Sequence, residues 1–463
     1  MATTIVQKPL YSNIVPVGQE VIFSISNNNV VAQFTNVSFQ ADVYVSNGTP
    51  PTVTGTPLAT FKTKPNNLGV GIFDFRQVVE SYVAADNLAG EGSSYKTALT
   101  NATTTYPLHL IDKYSTNRNA VRWLVVQFKT IYTDNNGIEQ EDICNVLDYY
   151  RLYNAYLKYE DEIKVQNVDF GYNPSKFVPL DDTKQFLTNA PITQYANLDD
   201  YGTFAFAETA GAIVNKITLT YYNSSGVQIG TEDIMRTVGN GANYSTSTDV
   251  KFHLFYFGCF PANLQNWSTT FQALVPPNVD QMSGGRIEVQ TKDVYNDDVI
   301  KSYTININCA NLKGYESIRL CWLNQWGAWD YYTFTQKSVR SVSTAGSTYE
   351  QLGGTWNANA YYINGYKGGK KTFRVNATEK IKMNTDFVSE SENVMFEELT
   401  NSPEVYILKG YSDVHDVQYA LNQYVAPVRV TSTSFTKKTV ANDKLIQYTF
   451  EVEKSKTLRT QSV

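Results

Sequence analysis

The side chains able to do chemistry are scattered along the chain. Asp181-Asp182, Asp199-Asp200 and Asp297-Asp298 are adjacent acids. Such pairs can contribute to a calcium site, which collects roughly six to eight oxygens. None has the alternating Asp/Asn spacing of an EF-hand loop, so loop solvation and turn initiation are the expected roles. Lys367-Gly368-Gly369-Lys370-Lys371-Thr372 resembles a phosphate-binding loop. That motif needs a glycine where this chain has Asn364, and Ser or Thr after the key lysine where it has Lys371. A solvated turn is expected there instead. His253 sits in the apolar run Lys-Phe-His-Leu-Phe-Tyr-Phe and reads as a core histidine. The sequence holds no Gly-x-Ser-x-Gly elbow and no His-Glu-x-x-His. Cys144, Cys259, Cys309 and Cys321 are far apart and read as buried thiols of a reducing compartment, with neither a disulfide framework nor a zinc site. Glycosidase carboxylates come from distant parts of a chain and leave no local signature, so the 44 acidic residues single out none. No catalytic, cofactor-binding or metal-binding residue is named, no cofactor is expected, and the chain is expected not to be an enzyme.

The most distinctive stretch is Arg319–Phe334, Arg-Leu-Cys-Trp-Leu-Asn-Gln-Trp-Gly-Ala-Trp-Asp-Tyr-Tyr-Thr-Phe, with three of the six tryptophans. It reads as strand, turn, strand, with Asn324–Gly327 as the turn. Aromatic side chains bury about 150–250 Å² each, so the hairpin can seed a core or present a sticky face. Trp322, Trp326, Trp329, Tyr331 and Tyr332 are therefore the candidate interface or glycan-stacking residues. The flanking strands favour core packing.

Strands must position these residues. Glu20–Ser26 and Val37–Val45 alternate apolar and polar side chains, the mark of half-buried strands. Asn27-Asn28-Asn29 reads as a turn. Val121–Thr133 is a long apolar strand, and Asp134–Gly137 turns it into a return strand over Ile138–Val146. Asp148–Tyr159 is ambiguous between helix and strand. Asn223–Gly226 is a second clean hairpin turn after Ala212–Tyr222. Two short helices are expected. One lies near 75–85 behind an Asp74/Gln77 capping box; the other lies near 389–400, with Val394, Met395 and Leu399 inward and Pro403 ending it. Lys370–Val375, Glu404–Leu408, Val425–Thr433 and Leu445–Val452 are further strands, and the tail after about 454 is expected to fray. The reading is an all-β chain of tandem antiparallel β-sandwich domains with one or two short helices. Its domains are expected over 1–165, over 166–345 ending in the Trp-rich hairpin, and over 346–463.

Bulk properties limit the function classes. Charged residues are 18%, aromatics 13% with 33 tyrosines, and the net charge is −6. Sequence-independent nucleic-acid binding needs clustered cations, and the longest basic runs here, Lys367–Lys371 and Lys437-Lys438, are short. The first residues lack the charged and apolar regions of a secretory signal, and no apolar run is long enough to span a bilayer, so no membrane insertion is expected. Seven Asn-x-Ser/Thr sequons follow from an Asn-, Ser- and Thr-rich composition.

Three C-terminal segments resemble recurring segments in virion proteins of tailed phages that infect Bacteroidetes hosts, including crAss-like phages. They are Leu323–Phe334, Ser389–Tyr406 and Asp443–Glu453, within roughly the last 145 residues. The resemblance implies a β-rich structural subunit of the tail or neck, of ring, hub or muzzle type, and no catalytic residue. It implies synthesis in the host cytoplasm and residence in the virion tail. Its partners would be copies of itself in a ring and other tail, portal or neck proteins, with passive contact to genomic DNA. Rings need heterologous, head-to-tail contacts, and a surface rich in Tyr and poor in Lys and Glu suits them. A receptor-binding tail protein that grips host carbohydrate and a glycan-cleaving tail enzyme are the two other classes left open.

Overall fold

The computed structural model describes residues 3–459 except 10–13, 48–49, 87–107, 111–113, 117–118, 160–183, 209–215, 237–252, 293–297, 310–313, 357–359, 364, 409–424, 433 and 441–444. Among these it has 25 strands and five short α-helices, which makes the fold all-β. The chain divides into two compact units, not three. One comprises Met1–Cys309 with Leu323–Asp330, the other Ala310–Trp322 with Tyr331–Val463.

The first unit begins with two facing sheets. Strands β1 (Thr4–Gln7), β3 (Ile22–Ser26) and β6 (Val70–Asp74) form one, in the order β1-β3-β6. The other runs β2 (Ile14–Pro16), β10 (Tyr149–Tyr153), β8 (Val121–Thr133), β4 (Thr35–Ser46), β5 (Ala59–Thr63), with β9 (Glu139–Ile143) also paired to β8. Alternation along β3 and β8 points Phe23 and Phe128 into the gap, where their ring centroids are 5.4 Å apart. Tyr150, Phe73 and Phe75 complete this aromatic core. The ambiguous Tyr-rich run is thus a strand, β10, and it pairs parallel to β2.

Two more sheets follow in the same unit. One runs β11 (Thr193–Ala196), β17 (Val299–Ile307), β16 (Arg286–Lys292), β13 (Lys216–Tyr222), β14 (Gln228–Arg236). The other is β12 (Thr203–Glu208), β15 (His253–Gly258) and β7 (Tyr114–Thr116). Phe186, Phe204, Phe257 and Tyr303 fill the space between them. β7 comes from the stretch expected to be a separate first domain, yet it pairs with β15 from Phe255 to Phe257. That strand makes one unit of residues on both sides of 165. The other expected boundary, 345, falls inside a strand of the second unit.

Short helices cover ends and edges. α1 (Asn28–Gln33) replaces the expected asparagine turn, because Asn27 Oδ1 accepts the Val30 N–H and starts a helix. α2 (Arg76–Glu80) is the helix expected near 75–85, but shorter. Asp74 accepts the Arg76 and Val21 N–H groups and does not close a capping box. α3 (Pro261–Trp267) and α4 (Thr269–Leu274) were not legible as helices; Ser268 caps the second through the Phe271 N–H.

The second unit is one eight-stranded sheet. Its order is β19 (Trp329–Phe334), β18 (Ile318–Leu323), β22 (Val405–Leu408), β23 (Val425–Val430), β24 (Thr449–Lys454), β21 (Gly369–Asn384), β20 (Val339–Gln351). β25 (Leu458–Arg459) pairs with β21, so the tail expected to fray is ordered to Arg459. Helix α5 (Asn393–Asn401) lies on this sheet, with Phe396 5.5 Å from Phe450. The Ser389/Glu392 capping box opens a 3₁₀ turn before it. Met395, Phe396 and Leu399 face inward, whereas Val394, expected inward, is 37% exposed.

Candidate functional site

The Trp-rich hairpin is where the sequence put its site candidates. Asn324 Oδ1 accepts the Trp326 and Ala328 N–H groups at 3.0 and 3.1 Å, and Gly327 closes the turn at φ +72°. The same Asn/Asp-x-x-Gly device builds the turns at Asn66–Gly69, Asp134–Gly137 and Asn223–Gly226. The tips of those three turns are exposed; this one is buried. Within the first unit, Trp326 Nε1–H donates to Asn189 Oδ1 at 3.0 Å, and Trp329 Nε1–H donates to the Asp86 carbonyl at 2.7 Å. The Trp329 ring also meets His109 edge-on at 4.6 Å. The Asp330 carboxylate accepts the Thr188 hydroxyl, and burial pushes its carboxyl up to about 6.

Within the second unit, Trp322 is fully buried. The Arg319 guanidinium stands 5.2 Å over the Tyr331 ring and donates to Thr333 Oγ1 at 2.8 Å. Tyr332 packs edge-on against Phe396, its hydroxyl accepts the Asp386 N–H, and burial raises that hydroxyl far above its ordinary range. Glycan stacking needs exposed ring faces. Trp322, Trp326, Trp329 and Tyr331 are each under 5% exposed, so the hairpin supplies no such platform. Trp326 and Trp329 are buried within the first unit and Trp322 and Tyr331 within the second, while Tyr332 is half-buried.

A group of exposed aromatics lies elsewhere, on an arm formed by β20 and β21, while others such as Tyr195 and Phe387 are scattered. The two strands pair over thirteen positions of β20, from Val339↔Lys382 to Gln351↔Gly369. β24 pairs with β21 only from Lys380 onward, and β25 only at Asn376 and Ala377. From Gly346 outward the two strands pair only with each other among the described residues, for about 20 Å. Every side chain from Val339 to Thr348 is exposed. Ordinary strands alternate because one face is buried; here neither is. The arm also ends its sheet, so among the described residues one edge of β20 presents unpaired backbone groups.

The tip carries Leu352, Trp356, Tyr361, Tyr362, Ile363 and Tyr366, each 56–76% exposed. Trp356 and Tyr361 hold each other at 5.1 Å between ring centroids. The Thr355 hydroxyl donates to the Ala360 carbonyl and accepts the Tyr362 N–H. Together these six side chains expose on the order of 700 Å², four of them aromatic. Arg340 anchors the arm's base by pairing with Glu316 and Glu379, and Lys454 pairs with Glu379 as well.

The phosphate-loop look-alike falls on this arm. Gly368 and Gly369 turn at φ +100° and +75°, and the following residues enter β21, a strand rather than the helix such a loop needs. Of the acid pairs, Asp181, Asp182 and Asp297 lie outside the described residues, as does the His253 side chain. Asp200 is buried and accepts the Asn197 N–H at 2.7 Å, a turn role. Among the described residues no group of three His, Cys, Asp or Glu is placed to hold a metal. Cys144, Cys259 and Cys321 are buried as expected, while Cys309 is exposed. The sequence did carry a signal for the arm. Val339–Gln351 lacks any apolar alternation, and a cluster of aromatics follows it outside any strand pattern. No family model and no curated protein matches the chain.

Proposed function

We propose that this protein is a structural subunit that works by assembly, a tail or neck component of a phage virion that closes into a ring or tube around the DNA exit path. The observation that carries the reading is the arm, thirteen paired positions long, with β20 exposed from Val339 to Thr348 and a tip of exposed aromatics. A two-stranded ribbon is marginal alone in water, and a long bare edge strand invites unwanted pairing unless a partner covers it. Its exposed area is close to the roughly 800 Å² per partner of a standard stable interface. Other tail, portal or neck proteins are the further partners of such a subunit, and the −6 net charge lets DNA pass without adhering. The test is electron microscopy and sizing of the purified protein at rising concentration, beside a version in which residues 348–372 are replaced by a two-residue turn. Rings or tubes from the intact protein and none from the shortened one are expected. Strictly monomeric intact protein, absent from virions, overturns the reading.

One observation favours a second reading, a receptor-binding tail protein. Trp356, Tyr361, Tyr362 and Tyr366 expose ring faces that could stack on sugars. Protection of Trp356 by host polysaccharide under conditions where the protein stays monomeric would favour that reading over assembly.

A further inference from the structure

We infer that the arm of one copy docks on the acidic hairpin formed by β8 and β9 of a neighbouring copy. The inference rests on the assembly reading and names the partner surface. Both surfaces lie exposed on this chain, and they are complementary in charge and alike in apolar character. From Tyr349 to Arg374 the arm carries Lys367, Lys370, Lys371 and Arg374 against Glu350 alone, a surplus of three positive charges. The whole chain is −6, which leaves −9 for the remainder. Part of that negative charge is gathered on one exposed hairpin. Residues 134–150 hold Asp134, Glu139, Glu141, Asp142 and Asp148 and no lysine or arginine.

The β9 surface is open and sticky as well as acidic. Glu139 to Glu141 are exposed, and among the described residues β9 pairs only with β8. Ile138, Val146 and Tyr149 are 57%, 58% and 39% exposed around it. Two of the acids have cationic partners, Glu141 with Lys129 at 3.3 Å and Asp148 with Lys8 at 3.2 Å, and Asp142 accepts from Asn27. Glu139 and Asp134 lie beyond that neutralisation at the hairpin's outer end. An apolar, acidic edge on one element and an apolar, basic edge on another make a heterologous pair: each copy offers one of each. Such a pair closes into a ring or continues as a tube, whereas two like arms facing each other would repel.

Charge reversal in matched pairs tests this. One variant carries Lys370→Glu with Lys371→Glu, the other Glu139→Lys with Glu141→Lys; all four positions are exposed or half-buried, so folding is retained and is checked by circular dichroism. Each variant alone should self-associate about 100-fold more weakly than the parent at low salt, because the substituted positions then meet like charges where the parent has opposite ones. An equal mixture of the two should recover association to within about tenfold of the parent, since the substituted positions of one variant's arm then face substituted positions of opposite charge on the other variant's edge. Combining all four changes in one chain should recover it similarly. Parent protein that assembles while both reversals assemble equally well overturns the inference and leaves the assembly reading standing. Loss in both reversals without recovery on mixing also overturns it, and points to a different partner for the arm. Parent protein that never assembles overturns both.

Discussion

Gly327 lies directly against Asn154. A Cβ at 327 would sit 2.1 Å from the Asn154 carbonyl oxygen, and the residue is held at φ +72°. Any L side chain there meets two separate obstacles, an unfavourable backbone conformation and a backbone atom that cannot rotate away. The turn's chemistry and its burial thus converge on one residue.

Gly327→Ala should therefore destabilise the first unit by roughly 3 kcal/mol, the sum of about 1 for the left-handed backbone and the rest for the steric conflict. Gly137 supplies the control. It has φ +79° in the same kind of turn, and a methyl group added there would meet nothing within 4 Å, so Gly137→Ala should cost only about 1 kcal/mol. Urea midpoints of the two variants separate the contributions.

Asp330 should give the protein a pH dependence opposite to ordinary acid unfolding. Its folded carboxyl is raised to about 6, against about 3.9 in an unfolded chain. Between those values the folded state binds more protons, so stability falls as pH rises. The favourable contribution is fully present below about pH 4 and is lost as pH rises through about 6. Asp330→Asn keeps an acceptor for Thr188 without the charge. Relative to the parent it should gain stability from pH 4 to pH 7, measured by denaturant midpoints at each pH. A parent–variant difference that does not change with pH would remove the buried carboxylate from the explanation.

Trp356 should dominate collisional quenching. It is 65% exposed, whereas Trp123, Trp322, Trp326 and Trp329 are all buried and Trp267 is half-buried. Acrylamide should quench the parent measurably more than Trp356→Phe. If the protein assembles through the arm as proposed, the difference should shrink as the protein is concentrated.

Glu379 should show the salt sensitivity of a charge network at the arm's base. The Lys454 ammonium first, and Arg340 next, hold its carboxyl below the ordinary range. That support is present above the ordinary carboxylate range near 4.3 and is lost as acid protonates the group. The side chains are partly exposed, so Glu379→Gln should cost less than about 1 kcal/mol, and the cost should fall further in 1 M salt. Hydrogen exchange along Gly346–Gln351 should quicken in the same variant.

Much of the fold was legible because it is written locally. Strand alternation in β3, β4 and β8 and the Asn/Asp-x-x-Gly turns are properties of neighbouring residues, and they determined the all-β class. So did the Ser389/Glu392 start of the last helix. Asn27 departs from its expected turn because an asparagine before a short apolar run can open a helix as readily as a turn, and only the Val30 N–H position decides. Tertiary structure alone decided that β7 completes a sheet with β12 and β15, since partners some 140 residues apart share no local pattern. It alone buried Trp326 and Trp329, whose fate depends on Asn189, Asp86 and Asn154 arriving from elsewhere in the chain. And it alone exposed Trp356. Composition marks both tryptophan groups as sticky; burial is a property of what the rest of the chain packs against them, and nothing in this chain packs against both faces of the arm among the described residues.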